Sequence, residues 1–468
     1  MNEIRSYKEP SILNILSYSS SGFWSMFAWS VFGAWVFYFY EVAVGLNAIY
    51  IASAMIIFTL WDAINDPLIG FLTDRRLKFT KKIGKRFPWI VIGIIPASFV
   101  FILLFIPPPI INPATEPIAL FGWIIFTTCL FDSLSTLCFV NVNSLFPDKF
   151  RTDKARRRAQ GWGTPLSIMA LPFASIIPPI IINIFGGTSY APSYVPMAWL
   201  VVGILITVGI LFIPGMYENK ELKERYYISE VKQEGFIHAL KSTLKQKSFQ
   251  LYIILFFGFQ VVTGSLTASI PYAVEIVLGG PNVELNIILL FAFFLQGAII
   301  GSIIWVFLIK RLKNNKKSAV IGGVTLTLGT LLTTFYVGLI DSLIYISILG
   351  LTMGNFWALM TIYFADVLDE RVVLTKSDVR GATVGVSAFF SRLSRGVQIS
   401  VFAIVHLVTG FVEGQTVQTE LAKIGIRIHM SVIPAIILVI CTFLYWKYYP
   451  ITPEKYMENK IKLKELGF

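Results

Sequence analysis

Two acidic residues, Asp62 and Asp66, lie one helical turn apart inside a stretch of sequence that is otherwise apolar. Asn65 follows Asp62 by three residues, so the three side chains share one face of a predicted helix. Carboxylate and amide oxygens are the ligands that hard cations such as Na⁺ prefer. We therefore predict that this face binds a coupling ion, Na⁺ or H⁺, and that no other cofactor is needed. The alternative is that the acids form structural ion pairs with basic residues of neighbouring helices.

The depth of these acids in a membrane strengthens the prediction. The apolar stretch covers residues 47–73, and Asp74 begins a basic loop. At about 1.5 Å of rise per residue, Asp62 lies roughly 18 Å and Asp66 about 12 Å from that loop. Both acids then lie near the middle of a hydrocarbon core about 30 Å thick, where each carboxylate costs roughly 2.5–3.5 kcal/mol. A pair without a function would be selected against.

The composition defines the class of protein. Apolar residues make up 55% of the chain, charged residues 14%, and the mean hydropathy is +0.71. Soluble domains carry about 25% charged residues. We predict an all-α integral membrane protein. Its twelve predicted transmembrane helices cover residues 17–40, 47–73, 88–108, 117–145, 158–185, 194–215, 249–277, 285–309, 318–339, 342–366, 380–410 and 427–449.

The distribution of charge predicts the topology. The chain has a net charge of +12, and 35 of its 39 Lys and Arg residues lie in the even-numbered loops and the two termini. By the positive-inside rule we expect a multi-pass protein of the cell membrane with both termini in the cytoplasm. The same distribution argues against nucleic-acid binding. The three cysteines fall within predicted spans and show no metal-ligand spacing.

The chain divides into two halves of six predicted spans. Residues 217–248 form the longest polar stretch and are predicted to be a cytoplasmic linker. We expect an N-terminal bundle over residues 1–216, which holds the cation site, and a C-terminal bundle over residues 249–468. The basic loop after span 2 has a counterpart after span 8, which suggests two related halves, as in many secondary transporters.

Spans 4 and 11 carry further polar residues. On span 4, four side chains share one helical face, namely Asp132, Thr136, Phe139 and Asn143. Asp132 either binds substrate or pairs with an arginine. In span 11, Arg392 and Arg395 need a carboxylate or an anionic ligand. His406, also in span 11, is interpreted as a packed helix residue.

A longer motif around the acids resembles a known family. The motif comprises Trp61-Asp62-Ala63-Ile64-Asn65-Asp66-Pro67-Leu68-Ile69-Gly70, Thr73-Asp74-Arg75 and Gly84-Lys85-Arg86-Phe87-Pro88-Trp89-Ile90, with Ser144-Leu145-Phe146-Pro147, Phe356-Trp357, Ala365-Asp366-Val367 and Arg380-Gly381 farther on. These residues are similar to those of the glycoside–pentoside–hexuronide:cation symporters of the major facilitator superfamily. The resemblance covers both halves and implies the major facilitator fold, with two six-helix bundles.

The resemblance implies a role for several residues. Asp62, Asn65 and Asp66 would line the cation site, a metal site if the ion is Na⁺, and Thr136 matches a threonine that contributes to it. Trp357 would lie near the sugar pocket. We also expect a cytoplasmic gate that involves Asp74, Arg75 and Arg380.

The sequence departs from the family at the sugar site. Met26 and Phe139 stand where the melibiose carrier has sugar-binding acids. Asn143 replaces a tryptophan, and Ser394, beside Arg395, replaces a lysine. We therefore expect cation coupling without galactoside recognition, and the arginines favour an anionic solute such as a uronide.

Taken together, these residues predict a secondary active transporter that works as a monomer. It would couple Na⁺ or H⁺ to symport of a glycoside, pentoside or hexuronide-like solute by alternating access. The alternative is a lipid carrier of the same fold, of the lysophospholipid type. An enzyme is not expected, because HExxH, GxSxG, P-loop and CxxC motifs are missing from the sequence.

Overall fold

Helices are the only regular elements in the described part of the chain. The computed structural model describes residues 9–73, 83–108, 112–150, 152–219, 222–223, 241–280, 282–312, 314–375 and 380–465. The long helices are α1 (Ile12–Tyr38), α2 (Ala48–Thr73), α3 (Phe87–Val100), α4 (Pro117–Lys149), α5 (Asp153–Ile184), α6 (Tyr194–Met216), α7 (Lys247–Tyr272), α8 (Val283–Leu312), α9 (Asn315–Leu332), α10 (Leu339–Thr375), α11 (Arg380–Thr409), α12 (Glu420–Tyr448) and α13 (Pro453–Glu465).

Helices α1 to α12 coincide with the twelve predicted spans. Within the described residues, ten helices are long and apolar enough to cross a membrane. The remaining two, α9 and α11, occupy the positions predicted for spans 9 and 11. The predicted all-helical membrane class is therefore confirmed.

Short π-helical segments modify three of these helices. Phe39–Ala43 extends α1, Ala273–Leu278 extends α7, and Ile428–Val432 lies inside α12. A π-helical turn holds more residues than an α-helical one, and such turns are frequent at functional sites.

A distant carboxylate caps the start of α3. Glu218 follows α6 and is fully buried. Its Oε1 accepts hydrogen bonds from the backbone N–H groups of Arg86 at 2.6 Å and Phe87 at 3.2 Å, and its Oε2 accepts one from Lys85 at 2.7 Å. These donors have no partner within the helix, so the carboxylate satisfies them and stabilises the helix N-terminus. The cap fixes the end of the basic loop that follows α2.

Lys149 lies beside this cap. It follows the membrane-spanning part of α4, which ends at Phe146. Its Nζ donates to the carbonyl of Gly215 and, at 3.3 Å, to that of Tyr217. Burial lowers the pKa of the Lys149 amine from 10.5 to about 8, partly opposed by the Glu218 charge.

The helices form two compact units. The first comprises Met1–Phe32 and Leu60–Lys232, and the second comprises Gly33–Thr59 and Gln233–Phe468. Residues 33–59, which comprise the end of α1, the connection that follows it and the first half of α2, therefore belong to the second unit by their contacts.

Small residues bring α8 and α10 together in the second unit. The two helices carry matching GxxxG pairs, Gly297 with Gly301 and Gly350 with Gly354. A Cβ at any of these positions would overlap the backbone of the facing helix. Since lipid offers no hydrophobic drive for helix association, close backbone packing of this kind is a main source of stability in membranes.

Candidate cation-binding site

The polar face of α2 lies in the interior of the first unit. Asp62 and Asn65 are buried, with 3% and 1% of their surfaces exposed, and Asp66 is half-buried one turn further on. Asp62 and Asn65 thus both lie in the interior of this unit. The exposed side of this stretch is apolar, as Leu60, Ile64 and Leu68 show.

Helix α4 supplies the partner for this face. The Asn65 Nδ2 donates a hydrogen bond to Asp132 Oδ2 at 2.9 Å, and Asp132 itself is only 1% exposed. One turn along the helix, Trp61 Nε1 donates to Ser133 Oγ at 2.9 Å. Thr136, one turn beyond Asp132 on α4, is also buried. The two helices are therefore joined by hydrogen bonds at the level of the acids.

The hydrogen bond fixes what Asn65 can offer to an ion. Its amide nitrogen is committed to Asp132, so the amide oxygen is the atom available as a ligand. Within the described residues, no group of three His, Cys, Asp or Glu side chains is placed to hold a metal ion. Carboxylate and amide oxygens, the atoms that this face of α2 carries, suit a singly charged hard cation rather than a transition metal.

The predicted substrate residues fall in both units. In the first unit, Met26 and Asn143 are exposed and Phe139 is half-buried. The Phe139 ring lies 5.5 Å from that of Trp24, whose Nε1 donates to Ser98 Oγ at 3.1 Å. Phe139, which the sequence predicts to be a substrate residue, therefore takes part in an aromatic contact.

In the second unit, Trp357 is half-buried and packs edge-on against Phe294, with ring centroids 5.8 Å apart. Arg392 is half-buried, and Arg395 is exposed. Ser394 between them is buried, and its hydroxyl donates to the carbonyl of Ser391 at 2.6 Å.

The predicted gate falls on residues that the structure does not describe. Asp74 and Arg75 lie outside the described residues, and so does the side chain of Arg380, which begins α11. The gate stays a prediction.

Two features of the structure are missing from the sequence-based prediction. One is the pairing of Asn65 with Asp132, and the other is the role of Glu41. Glu41 directly follows predicted span 1, which places it in a loop, whereas the π-helical turn at the end of α1 buries it completely. The sequence carries one signal for this contact: an acid at the end of span 1, Glu41, and a histidine within span 11, His406, that could pair with it.

Comparison with known proteins defines the class. The model of the family described as MFS/sugar transport protein matches residues 17–453. Among solved structures, a D-xylose–proton symporter aligns with a TM-score of 0.63 at 13% identity, over 93% of this chain and 97% of that one. The nucleoside transporter NupG aligns with a TM-score of 0.60 at 13% identity, over 94% and 98%. These likenesses show the major facilitator fold.

The chain belongs to the MFS/sugar transport protein family and is a multi-pass membrane transporter, not an enzyme. Its sequence is 22% identical to the sodium-dependent lysophosphatidylcholine symporter 1-A of Danio rerio, over 90% of this chain and 82% of that protein. It is also 22% identical to the uncharacterized symporter YjmB of Bacillus subtilis, over 97% and 96%. The predicted resemblance to major facilitator symporters is confirmed.

Proposed function

We propose that this protein is a Na⁺-coupled secondary symporter. The observation that carries the proposal is the buried turn of α2, where Asp62, Asn65 and Asp66 follow one another and Asn65 is bonded to Asp132 of α4. The names of the relatives favour sodium as the ion, since several are sodium-dependent symporters. Thr136 is proposed to complete the oxygen ligands.

Coupling follows from charge. Without a cation, the carboxylates of Asp62 and Asp66 repel each other across one helical turn. A bound Na⁺ removes this repulsion and orders α2 against α4 through the Asn65–Asp132 bond. If the solute binds preferentially to the ordered form, ion and solute raise each other's affinity by the same factor. Alternating access of two six-helix bundles, residues 1–216 and 249–468, then moves both together.

The solute is proposed to be an anionic glycoside or hexuronide. Met26, Phe139 and Asn143 replace the groups that recognise galactosides, and Phe139 packs on Trp24. Arg392 and Arg395 lie in span 11, where a guanidinium group suits a carboxylate on the solute. Trp357 offers an aromatic face on which a sugar ring can stack.

A lysophospholipid is the second candidate. It is favoured by relatives that align over most of this chain and are lysophosphatidylcholine symporters. An apolar Met26 and Phe139 suit an acyl chain, and a phosphate would take the place of the uronate beside the arginines. Both candidates share an anionic group, so only a transport assay distinguishes them.

Several expectations complete the proposal. Both termini lie in the cytoplasm of a cell-membrane protein that acts as a monomer. The linker 217–248 joins the two bundles on the cytoplasmic side. Asp74, Arg75 and Arg380 form ion pairs that close that side in one state.

The test is counterflow in proteoliposomes. A panel of neutral glycosides, pentosides and hexuronides is compared with lysophospholipids, each with and without Na⁺ and at two pH values. We expect a hexuronide to exchange only when Na⁺ is present. If only a lysophospholipid exchanges, the second candidate is the solute. If the exchange rate depends on pH but not on Na⁺, the coupling ion is H⁺ rather than Na⁺.

The role of the site is tested by Asp66→Asn. This variant should insert normally but lose Na⁺-driven accumulation of the solute. Asp369→Asn is the matched control, because it removes a carboxylate of the second unit that pairs with Lys460 at 2.7 Å. If Asp66→Asn still shows full Na⁺-driven uptake, the α2 acids do not take part in coupling.

A further inference from the structure

A second buried polar cluster lies within the second unit, where the end of α1 meets α7, α11 and α12. The Glu41 cluster consists of Glu41, Tyr272, His406 and His429. Glu41 and His429 are 0% exposed and His406 is 2% exposed. The proposed transport site uses none of these residues.

The Glu41 carboxylate is bound on both oxygens. Its Oε1 lies 2.7 Å from His406 Nδ1, and its Oε2 accepts a hydrogen bond from the Tyr272 hydroxyl. With Glu41 ionised, His406 Nδ1 must carry a hydrogen and donate it. The backbone carbonyl of Glu41 also accepts a bond from Gly414 N at 3.0 Å, so α1 is held here by backbone and side chain.

His429 has a defined tautomer. The Ser269 hydroxyl donates its one hydrogen to the Ser265 carbonyl at 2.6 Å. It must therefore accept from His429 Nδ1, which lies 3.0 Å away. The Nε2 atoms of both His406 and His429 are buried and make no hydrogen bond within the described part of the chain.

The charge of the cluster depends on one proton. An ionised Glu41 beside a neutral His406 leaves a net negative charge in a buried site, which is costly. A proton on His406 Nε2 makes the pair neutral and gives the carboxylate an imidazolium partner. His429 contacts no carboxylate among the described residues, and its ring centroid lies 5.0 Å from that of His406. A second imidazolium at that distance would be repelled by the first.

The other charged groups at this junction are bound separately. On the side of α1 and α7, the Tyr38 hydroxyl donates to Glu275 Oε2. In the connections after α1 and α11, Asn47 Nδ2 donates to Glu413 Oε1 at 2.8 Å. These contacts hold the same segment but involve no imidazole.

We propose that the Glu41 cluster is a proton-binding site that holds residues 33–59 closed against α7, α11 and α12. The closed form retains one proton on the Glu41–His406 pair. When the segment leaves, Glu41 and His406 separate into water, and the pair can release its proton to the solvent. The site lies at the far end of α1 from its N-terminus, and it is separate from the α2 acids.

This inference rests on the proposed function only in assuming that the transporter opens and closes. It predicts that a rise in pH favours the open form. Because one proton is released for each opening, the ratio of open to closed molecules should rise with pH, by up to about tenfold per pH unit.

Distances between spin labels test this without solute or Na⁺. Labels are attached at Ile49→Cys and Val417→Cys, two exposed positions of the second unit, with Cys129, Cys138 and Cys441 replaced by serine or alanine. The full-length protein in nanodiscs and potassium buffer is measured from pH 6 to pH 8.5. We expect a short label-to-label distance at pH 6. As the pH rises, a second population with a longer distance should grow at the expense of the first.

Three variants and one control assign the proton. Glu41→Gln and His406→Gln should each make the distance distribution independent of pH. Asn47→Ala, the matched control, should favour the open form at every pH and keep the full pH dependence. His429→Asn should also keep it, because its amide can still donate to Ser269.

Two results would overturn the inference. A wild-type distribution that is the same from pH 6 to pH 8.5 excludes the proton site, even if no variant can be purified. A pH dependence that survives in both Glu41→Gln and His406→Gln, or disappears only in His429→Asn, excludes the assignment to the pair. Since the measurement needs neither ion nor solute, failure of the proposed symport would leave this result unaffected.

Discussion

At the scale of single residues, the hydrogen bond from Asn65 to Asp132 determines the chemistry of the α2 face. It commits the amide nitrogen and gives Asp132 a neutral donor inside the unit. Asp132, for which the sequence predicts substrate binding or an arginine partner, therefore lies beside the proposed ion ligands. We propose that its carboxylate adds to the negative potential of the α2 cation site.

Substitution of Asn65 should show what this bond contributes. Asn65→Ala leaves a buried carboxylate without its amide donor and should lower the free energy of unfolding by about 1–3 kcal/mol. If the geometry is kept, Asn65→Asp places a new carboxylate 2.9 Å from that of Asp132. The two acids would have to share a proton, so this variant should be less stable at pH 8 than at pH 5.

Thermal unfolding in detergent at the two pH values measures both effects. Asn143→Asp serves as the control, since it adds a carboxylate at an exposed position of the same helix as Asp132. Equal stability of Asn65→Asp at both pH values would show that Asp132 is not its neighbour.

At the scale of elements, two features position the helices. Glu218 caps the start of α3, and paired glycines let α8 and α10 approach closely. The helices themselves are predictable from the apolar stretches, because a span needs about 20 apolar residues whatever its neighbours are. The cap could not be predicted, since Glu218 lies more than a hundred residues from the N–H groups that donate to it.

The Glu218 cap gives a prediction for local stability. Glu218→Ala removes the acceptor of three backbone donors, one of them buried and two partly buried, which should cost about 1–3 kcal/mol. Hydrogen exchange of the amides of Lys85, Arg86 and Phe87 should become faster. Glu116→Ala is the control, because Glu116 is the N-cap residue of α4 and its side chain makes no cap bond. Unchanged exchange at residues 85–87 would contradict the cap.

The same region should show a pH dependence. The unfolded chain holds the Lys149 proton up to pH 10.5, whereas the folded amine loses it at about 8. Stability should therefore rise between these pH values, by up to about 3 kcal/mol relative to Lys149→Met, which cannot titrate. Unfolding at pH 7.5 and pH 10 measures the difference. A gap between wild type and variant that does not change with pH would contradict the lowered pKa.

Glycine packing between α8 and α10 gives a further prediction. Gly354→Ala would place a Cβ on the backbone nitrogen of Ser302, and it should lower stability by about 1–3 kcal/mol. Gly203→Ala in α6 meets nothing within 4 Å and should be neutral or stabilising by up to about 1 kcal/mol. Thermal unfolding of both variants is the measurement. Equal melting temperatures would show that α8 and α10 pack less closely than this.

At the scale of the whole molecule, the sequence predicts the class and the candidate ion ligands but not the junction around Glu41. The i, i+3, i+4 spacing of Asp62, Asn65 and Asp66 is visible in any helix, because it depends only on the helical period. The burial of Glu41 depends on a π-helical turn and on partners in α7 and α11, which no local pattern encodes. For the same reason, the sequence predicts that His406 is packed but not that it is paired.

The two proposed ion-binding sites would have different roles in the transport cycle. The α2 acids belong to the first unit, whereas the Glu41 cluster holds a segment of the second. We propose that Na⁺ binding drives coupling and that the proton on Glu41–His406 sets how easily one side opens.

Na⁺-dependent thermal stability of the purified protein is the decisive measurement for the α2 cation site. Wild type should gain stability saturably with Na⁺, by about 2.7 kcal/mol at a concentration a hundred times the dissociation constant, and should gain none with K⁺ or choline. Asp66→Asn should lose this gain, and Asp369→Asn should keep it. Equal Na⁺ stabilisation of Asp66→Asn, or none in wild type, would contradict a cation site on α2.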